Sequence, residues 1–263
     1  MEEAINYFAI FGGLDIKIDT SVPVLELIEK HILREYKTLR NDISRMMDVE
    51  NMSHLILTGI AMGDRRTNSA FKRAKISFDE GIKVIDDLCE KKILKLEVPF
   101  GQKGVPEKAL FTAPFLRFWF TFVSPLFTGI KNGEYEEFYT HYKNREADFA
   151  NLIFEQLSHE LLKEVWQEDK IYNIGRYWDK KIEIDLVAKT KSGKIIAGAC
   201  KYTNSKMKKS DLTKLQENCK EAGIKPDIYI LFSKIGCTNE LKSLKSETLK
   251  LLTCRNFKLL IKE

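Results

Sequence analysis

Two runs of the chain, 181–188 and 194–202, read as β-strands joined across the turn Lys191-Ser192-Gly193. In the first run Ile182, Ile184 and Leu186 alternate with Glu183 and Asp185, the period of two that places successive side chains on opposite faces of a sheet. A hairpin buries little by itself, so this pattern calls for more strands and covering helices. The flanking sequence supplies them. Residues 139–165 have helical periodicity, and 171–174 read as a short strand. After the hairpin come a helix over 210–222 closed by Gly223 and Pro226, an apolar strand over 227–232, a helix capped by Thr238 and running to 252, and a last strand over 257–261. The order α-β-β-β-α-β-α-β predicts a mixed sheet with helices on both faces.

The N-terminal part is helical in pattern. Residues 22–47 carry Val24, Leu25, Ile28, Ile32 and Leu39 near helical spacing, with Pro23 suited to a first turn. A second apolar stretch covers 55–62. Ser77 and Glu80 form a capping box for a third helix burying Ile82, Ile85, Leu88 and Cys89. Strand-like residues 93–98, a Gly101-Gln102-Lys103-Gly104-Val105-Pro106 turn and the return 109–111 follow, which is the order of a winged helix. In such modules the last helix enters a DNA groove, and Lys103 and Lys108 on the wing are placed for phosphate. Asp79, Asp86, Asp87 and Glu90 make that helix acidic, which disfavours deep insertion and leaves DNA contact and protein contact both open. The run Phe115, Phe118, Trp119, Phe120, Phe122, Phe127 reads as core or a seam between domains ahead of a base-stacking surface. At 263 residues the chain holds one large or two modest domains, so the reading is a winged-helix domain over 1–113, an aromatic connector over 114–138 and a sheet domain over 139–263. The fold class is α/β, α+β overall.

Composition excludes several classes. With 44% hydrophobic and 31% charged residues the chain buries a core and is not disordered. Its longest aromatic-apolar stretch, 115–127, is too short for a bilayer, and Met1-Glu2-Glu3 lacks the basic start of a secretory signal. A cytoplasmic protein with no membrane partner is expected. The five cysteines are odd in number and have no C-x-x-C pair, and the four histidines have no H-x-x-x-H pair, so reduced thiols are expected and a zinc site is not. No P-loop is present, so no nucleotide cofactor is expected. The net charge of +5 is concentrated: between 180 and 209, nine lysines face only Glu183 and Asp185. Such a stretch marks a polyanion partner or a solvated lysine-rich surface.

In the natural register of the hairpin, Asp185 comes near Ala199 and Lys201, which share a face while Gly198, Cys200 and Tyr202 point the other way. A carboxylate on one strand opposite a carboxylate-x-Lys on the next is an arrangement that holds a hard divalent cation, activates water and neutralises a scissile phosphate. The plain alternative is a cross-strand Asp–Lys ion pair.

Residues Glu183-Ile184-Asp185-Leu186-Val187 and Gly198-Ala199-Cys200-Lys201-Tyr202 resemble the PD-(D/E)xK, restriction-endonuclease-like nuclease superfamily. With 56–63, 115–123, 154–157 and 174–179, they resemble the C-terminal winged-helix and nuclease-like region of archaeal-type AAA ATPases over about two-thirds of the chain, and Phe11-Gly12-Gly13 resembles part of the ATPase lid. The ATPase lobe itself is missing. The resemblance implies a metal-dependent DNA phosphodiesterase using Mg²⁺ or Mn²⁺, with Asp185, Lys201 and Glu155 in catalytic roles and metal on Asp185. Ala199 stands at the family's second acid, which leaves Glu183 or Glu155 to substitute, or a site that binds without cutting. Leu212, Leu215 and Cys219 mark the buried face of the next helix, with Glu217 opposite and Gln216 within reach of a phosphate. DNA is the implied partner, held by Lys189, Lys191, Lys194, Lys206, Lys208, Lys209 and Gln216, with a homodimer as the form that cuts both strands. The competing reading is a non-enzymatic winged-helix interaction module or regulatory pseudo-nuclease, with a protein partner on the winged helix or the aromatic connector.

Overall fold

A computed structural model describes residues 2–47, 51–63, 65–102 and 104–260. The chain is mixed α/β, with N-terminal helices followed by a five-stranded mixed sheet. It divides into two compact units. The helical unit comprises Asn6–Glu97 and Pro106–Glu146; the sheet unit comprises Met1–Ile5, Val98–Val105 and Ala147–Glu263.

Helices α1 (Glu2–Phe11), α2 (Val24–Ile28) and α3 (Tyr36–Met47) come first, with a π-helical turn over Glu29–Leu33. They lead to α4 (Asn51–Met62), α5 (Thr67–Ala74) and α6 (Phe78–Glu90). The Ser77–Glu80 capping box is present: the Glu80 N–H donates to Ser77 Oγ, and Ser77 N–H donates back to the Glu80 carboxylate. Lys92, with φ 56°, turns the chain into β1 (Leu94–Glu97), which pairs antiparallel with β2 (Lys108–Phe111). Among the described residues six α-helices precede the hairpin: 22–47, read as one helix, is α2, the π-turn and α3, and α1 and α5 add to the helices read from the sequence. The phosphate-contacting role expected of the wing lysines meets a correction at Lys108, which is 2% exposed at the start of β2. The apolar neighbours Ala109, Leu110 and Phe111 pull the whole four-residue strand inward. Lys103 lies outside the described residues.

The aromatic run belongs to the core of the helical unit. It forms α7 (Pro114–Phe118), a π-turn over Trp119–Val123, a short 3-10 turn Ser124–Leu126 and α8 (Phe127–Asn132). A π-turn shifts the helical phase, and all five residues Trp119–Val123 are buried. Phe118 and Phe122 pack edge-on against Tyr142 of α9 (Glu136–Val165), and Phe118 also against Phe138.

In the sheet unit the strands are β3 (Ile171–Trp178), β4 (Glu183–Thr190), β5 (Ile195–Lys201), β6 (Ile228–Ser233) and β7 (Leu249–Thr253), in that spatial order. β3, β4 and β5 are antiparallel; β6 and β7 continue in parallel after the crossovers α10 (Lys209–Glu221) and α11 (Asn239–Ser243). Leu212, Leu215 and Cys219 of α10 pack on Val187, Ala197 and Leu231. On the other face Phe154 of α9 meets Tyr202 and Phe257.

Two sequence expectations change here. The helix over 238–252 stops at Ser243, and Leu249–Thr253 is a strand; of the residues 257–261 read as the last strand, 257–260 belong to a 3-10 helix over Cys254–Leu260, and 261 lies outside the described residues. Leu241, Leu244, Leu251 and Leu252 have helical spacing, but parallel pairing with β6 supplies backbone hydrogen bonds that local periodicity cannot anticipate. Second, alternation along β4 breaks. Gly175 pairs with Val187 and Tyr177 with Ile184, so β4 carries one extra residue at Asp185–Leu186, a β-bulge. Ile182 and Ile184 therefore join Val187 in the α10-side core, and Leu186 does not share their face as strict alternation predicts.

Gly81 of α6 gives a test of this packing. Alanine normally stabilises a helix relative to glycine, yet a Cβ here would lie 2.5 Å from the Phe71 ring, which is buried. Gly81→Ala should lower stability by about 1–3 kcal/mol, read as a lower melting temperature by circular dichroism; a higher one would contradict the α5–α6 packing.

Candidate functional site

The bulge creates the site. Pairing of β4 with β5 ends at Leu186 and Gly198, and beyond that point the strands part. Gly198, the last paired residue of β5, is crowded from both sides: a Cβ there would lie 2.9 Å from Ile230 of β6 and 3.2 Å from Leu186 of β4. In the gap the Asp185 carboxylate takes over as acceptor for the Cys200 N–H, at 2.8 Å. The Asp185 carbonyl lies 2.8 Å from His159 Nε2 on α9. A cavity of about 280 Å³ opens between the parted strands and α10.

This cavity brings together Glu183, Asp185, Ala199 and Lys201, as the hairpin register predicts. Sequence reasoning missed Asp211, Lys214 and Asn218 of α10, which line its other wall. Lys201 Nζ lies 3.1 Å from Asp211, and both side chains are largely shielded. Asp211 also accepts from the Lys208 N–H at 2.7 Å, closing the first turn of α10. The signal for this acid was its spacing, one residue before Leu212 and four before Leu215, which places it at the edge of the buried stripe. Gln216 is exposed and is not among the residues lining the cavity.

Glu155 has a different setting. It is buried on α9, where it forms an ion pair with Arg176 of β3 and accepts from Asn151 Nδ2 at 2.5 Å. Asn151 in turn accepts the Tyr202 N–H at 3.1 Å. One Glu155 oxygen ties α9 to β3 and the other holds Asn151 within α9, and Glu155 does not line the cavity.

Burial pushes the Asp185 carboxyl above the ordinary aspartate range; the Cys200 N–H and the charges of Arg176 and His159 oppose this, and Glu183 adds to it. Burial likewise raises the Cys200 thiol and moves Cys219 up to about 11, so neither is a ready thiolate.

The residues present do not fit a resident divalent cation. A hard cation takes several oxygen ligands. Among the described residues no three His, Cys, Asp or Glu side chains converge in a metal-binding group. Glu183 is exposed, Asp211 is committed to Lys201, and Ala199 offers no oxygen.

The lysines separate into two groups. Lys206, Lys208 and Lys209 are exposed where the chain enters α10, and Lys214 of α10 lines the cavity. Lys189, Lys191 and Lys194 stand toward the turn end of the hairpin, roughly 13–20 Å of strand from Asp185. There Lys194 borders a cleft shared with Glu168, Asp169 and Glu247. The stretch that is continuous in sequence is thus not one surface.

The fold and site define a mixed-sheet α/β protein with an acid–lysine cavity where two strands part. Residues 119–214 match DUF234, a family of archaeal and bacterial proteins of unknown function. An uncharacterized protein of Methanocaldococcus jannaschii, MJECL04, is 22% identical over 200 residues, covering 71% of this chain. The chain spans 45% of that relative's length. No solved structure matches. Among the described residues no helix is long and apolar enough to cross a membrane.

A carboxyl held above its unfolded value costs stability once ionised. The protonated form is favoured in the fold, so its contribution is whole below the unfolded aspartate pKa and is lost as pH rises through the folded value. Asp185→Asn should therefore melt higher than the parent chain at pH 8. The difference should shrink toward pH 3, measured by calorimetry across that range.

Proposed function

We propose that the sheet unit is a degenerate nuclease-like domain that binds DNA without cutting it. The observation that carries this reading is the Lys201–Asp211 ion pair beside Ala199. Where the resemblance calls for a second metal-ligating acid there is a methyl group, and the lysine that would face a reacting phosphate is neutralised by an acid from α10. The exposed lysines where the chain enters α10, Lys206, Lys208 and Lys209, together with Lys214 of the cavity wall, supply attraction for a phosphate backbone. Lys209 is itself loosely paired with exposed Glu240 at 3.5 Å, which leaves the other three to dominate.

The helical unit favours a second role. Asp79, Asp86, Asp87 and Glu90 give α6 an acidic surface, Phe78 at its start is 58% exposed, and Lys108 is withdrawn from the surface. Those features suit a protein contact better than a DNA groove.

Two experiments test the reading. Anisotropy of a labelled duplex should show binding that weakens with salt, with a log–log slope of about −0.9 per phosphate neutralised. Replacing Lys206, Lys208 and Lys214 together by Ala should weaken binding and flatten that slope, while replacing Lys189, Lys191 and Lys194 should leave both close to the parent values. Binding that is absent at low salt or insensitive to salt overturns the proposal. In the second experiment, supercoiled plasmid is incubated with Mg²⁺ or Mn²⁺. The parent chain should leave it intact, Ala199→Glu should cut it, and Ala199→Glu/Lys201→Ala should not. Cleavage by the parent chain would mean that other carboxylates complete a metal site.

A further inference from the structure

The helical unit contains a second cavity, of about 200 Å³, which DNA binding does not use. One wall is built from Tyr36 and Trp119, both buried, with ring centroids 5.5 Å apart and planes within 10° of parallel. A polar pair also lines it: Ser124 Oγ lies 2.6 Å from His54 Nε2. At its mouth Arg40 is exposed, its guanidinium 5.9 Å from the centre of the Phe127 ring. Arg40 is the one cation of the lining, and no carboxylate among the described residues lines the cavity with it.

Burial, reinforced by the Arg40 charge, lowers the His54 pKa, so its imidazole is neutral near pH 7. A neutral ring has one proton, and the Ser124–His54 pair therefore presents both a donor and an acceptor. Contact of serine with histidine is also a beginning for acyl transfer. Here, however, the residue after Ser124 is Pro125, which has no N–H for an oxyanion, and no acid among the described lining residues orients the imidazole. The site is built to hold a ligand.

We propose that this cavity binds a small aromatic carboxylate of on the order of ten non-hydrogen atoms. The guanidinium fork takes the carboxylate in two parallel hydrogen bonds, the Tyr36–Trp119 wall meets the ring, and Ser124 and His54 receive a polar substituent.

The test uses the full chain and 4-fluorobenzoate, observed by ¹⁹F NMR titration with 4-fluorobenzamide as the uncharged control. Saturable benzoate binding is expected with a dissociation constant on the order of 1 mM. The benzamide should bind at least about tenfold more weakly. Arg40→Gln, at an exposed side chain, should remove most of the benzoate affinity without lowering the melting temperature. Ser44→Phe, which fills the mouth, should abolish binding; a neutral probe that still bound this variant would place the site elsewhere. Failure to saturate, equal affinity for the two probes, or unchanged benzoate binding by Arg40→Gln each overturns the proposal.

Discussion

The sheet unit depends on one added residue in β4. Without the bulge at Asp185–Leu186, β4 and β5 would continue their ladder past Gly198 and close the gap in which the cavity lies. With it, the strands separate and the Cys200 N–H loses its backbone acceptor. A buried N–H without a partner is costly, and the Asp185 carboxylate meets that need. The aspartate is therefore a structural acceptor first, and its burial follows from that position. Bulges recur beside functional sites for this reason, because they redirect a side chain while ending a ladder.

Around that break the polar groups are paired across elements. Glu155 joins α9 to Arg176 of β3, Asn151 carries the connection to the backbone of Tyr202, and His159 reaches the Asp185 carbonyl. Removing one partner from such a network would strand a buried charge, which costs far more than the net worth of the pair. On the α10 side, Lys201 and Asp211 satisfy each other over the methyl of Ala199. The wall of the cavity thus holds a lysine and an acid that are paired with each other. The helical unit reverses that balance, since its cavity presents a cation and a Ser–His pair within aromatic walls.

Much of this was legible in the residues. The Ser77–Glu80 capping box, the Lys191-Ser192-Gly193 turn and the opposite facing of Ala199 and Cys200 follow from local rules and appear as read. Asp211 was hidden because an acid in the first turn of a helix has an ordinary local explanation, which it also fulfils through the Lys208 N–H. The lysine stretch misled in a different way: the length of β5 separates Lys189, Lys191 and Lys194 from Lys206, Lys208 and Lys209, so density in sequence did not become density on a surface.

The amino-acid sequence by itself determined the order of elements in the sheet unit, the mixed sheet and the nearness of Asp185 to the 199–201 segment, because periodicity, caps and turns act over a few residues. Tertiary structure decided where β4 bulges, that 249–253 is a strand, and which acid neutralises Lys201. Each of those outcomes depends on hydrogen bonds or charges contributed by a distant element: β3 and β5 for the bulge, β6 for the last strand, α10 for the lysine. The energy of such partners is not contained in any local stretch of chain.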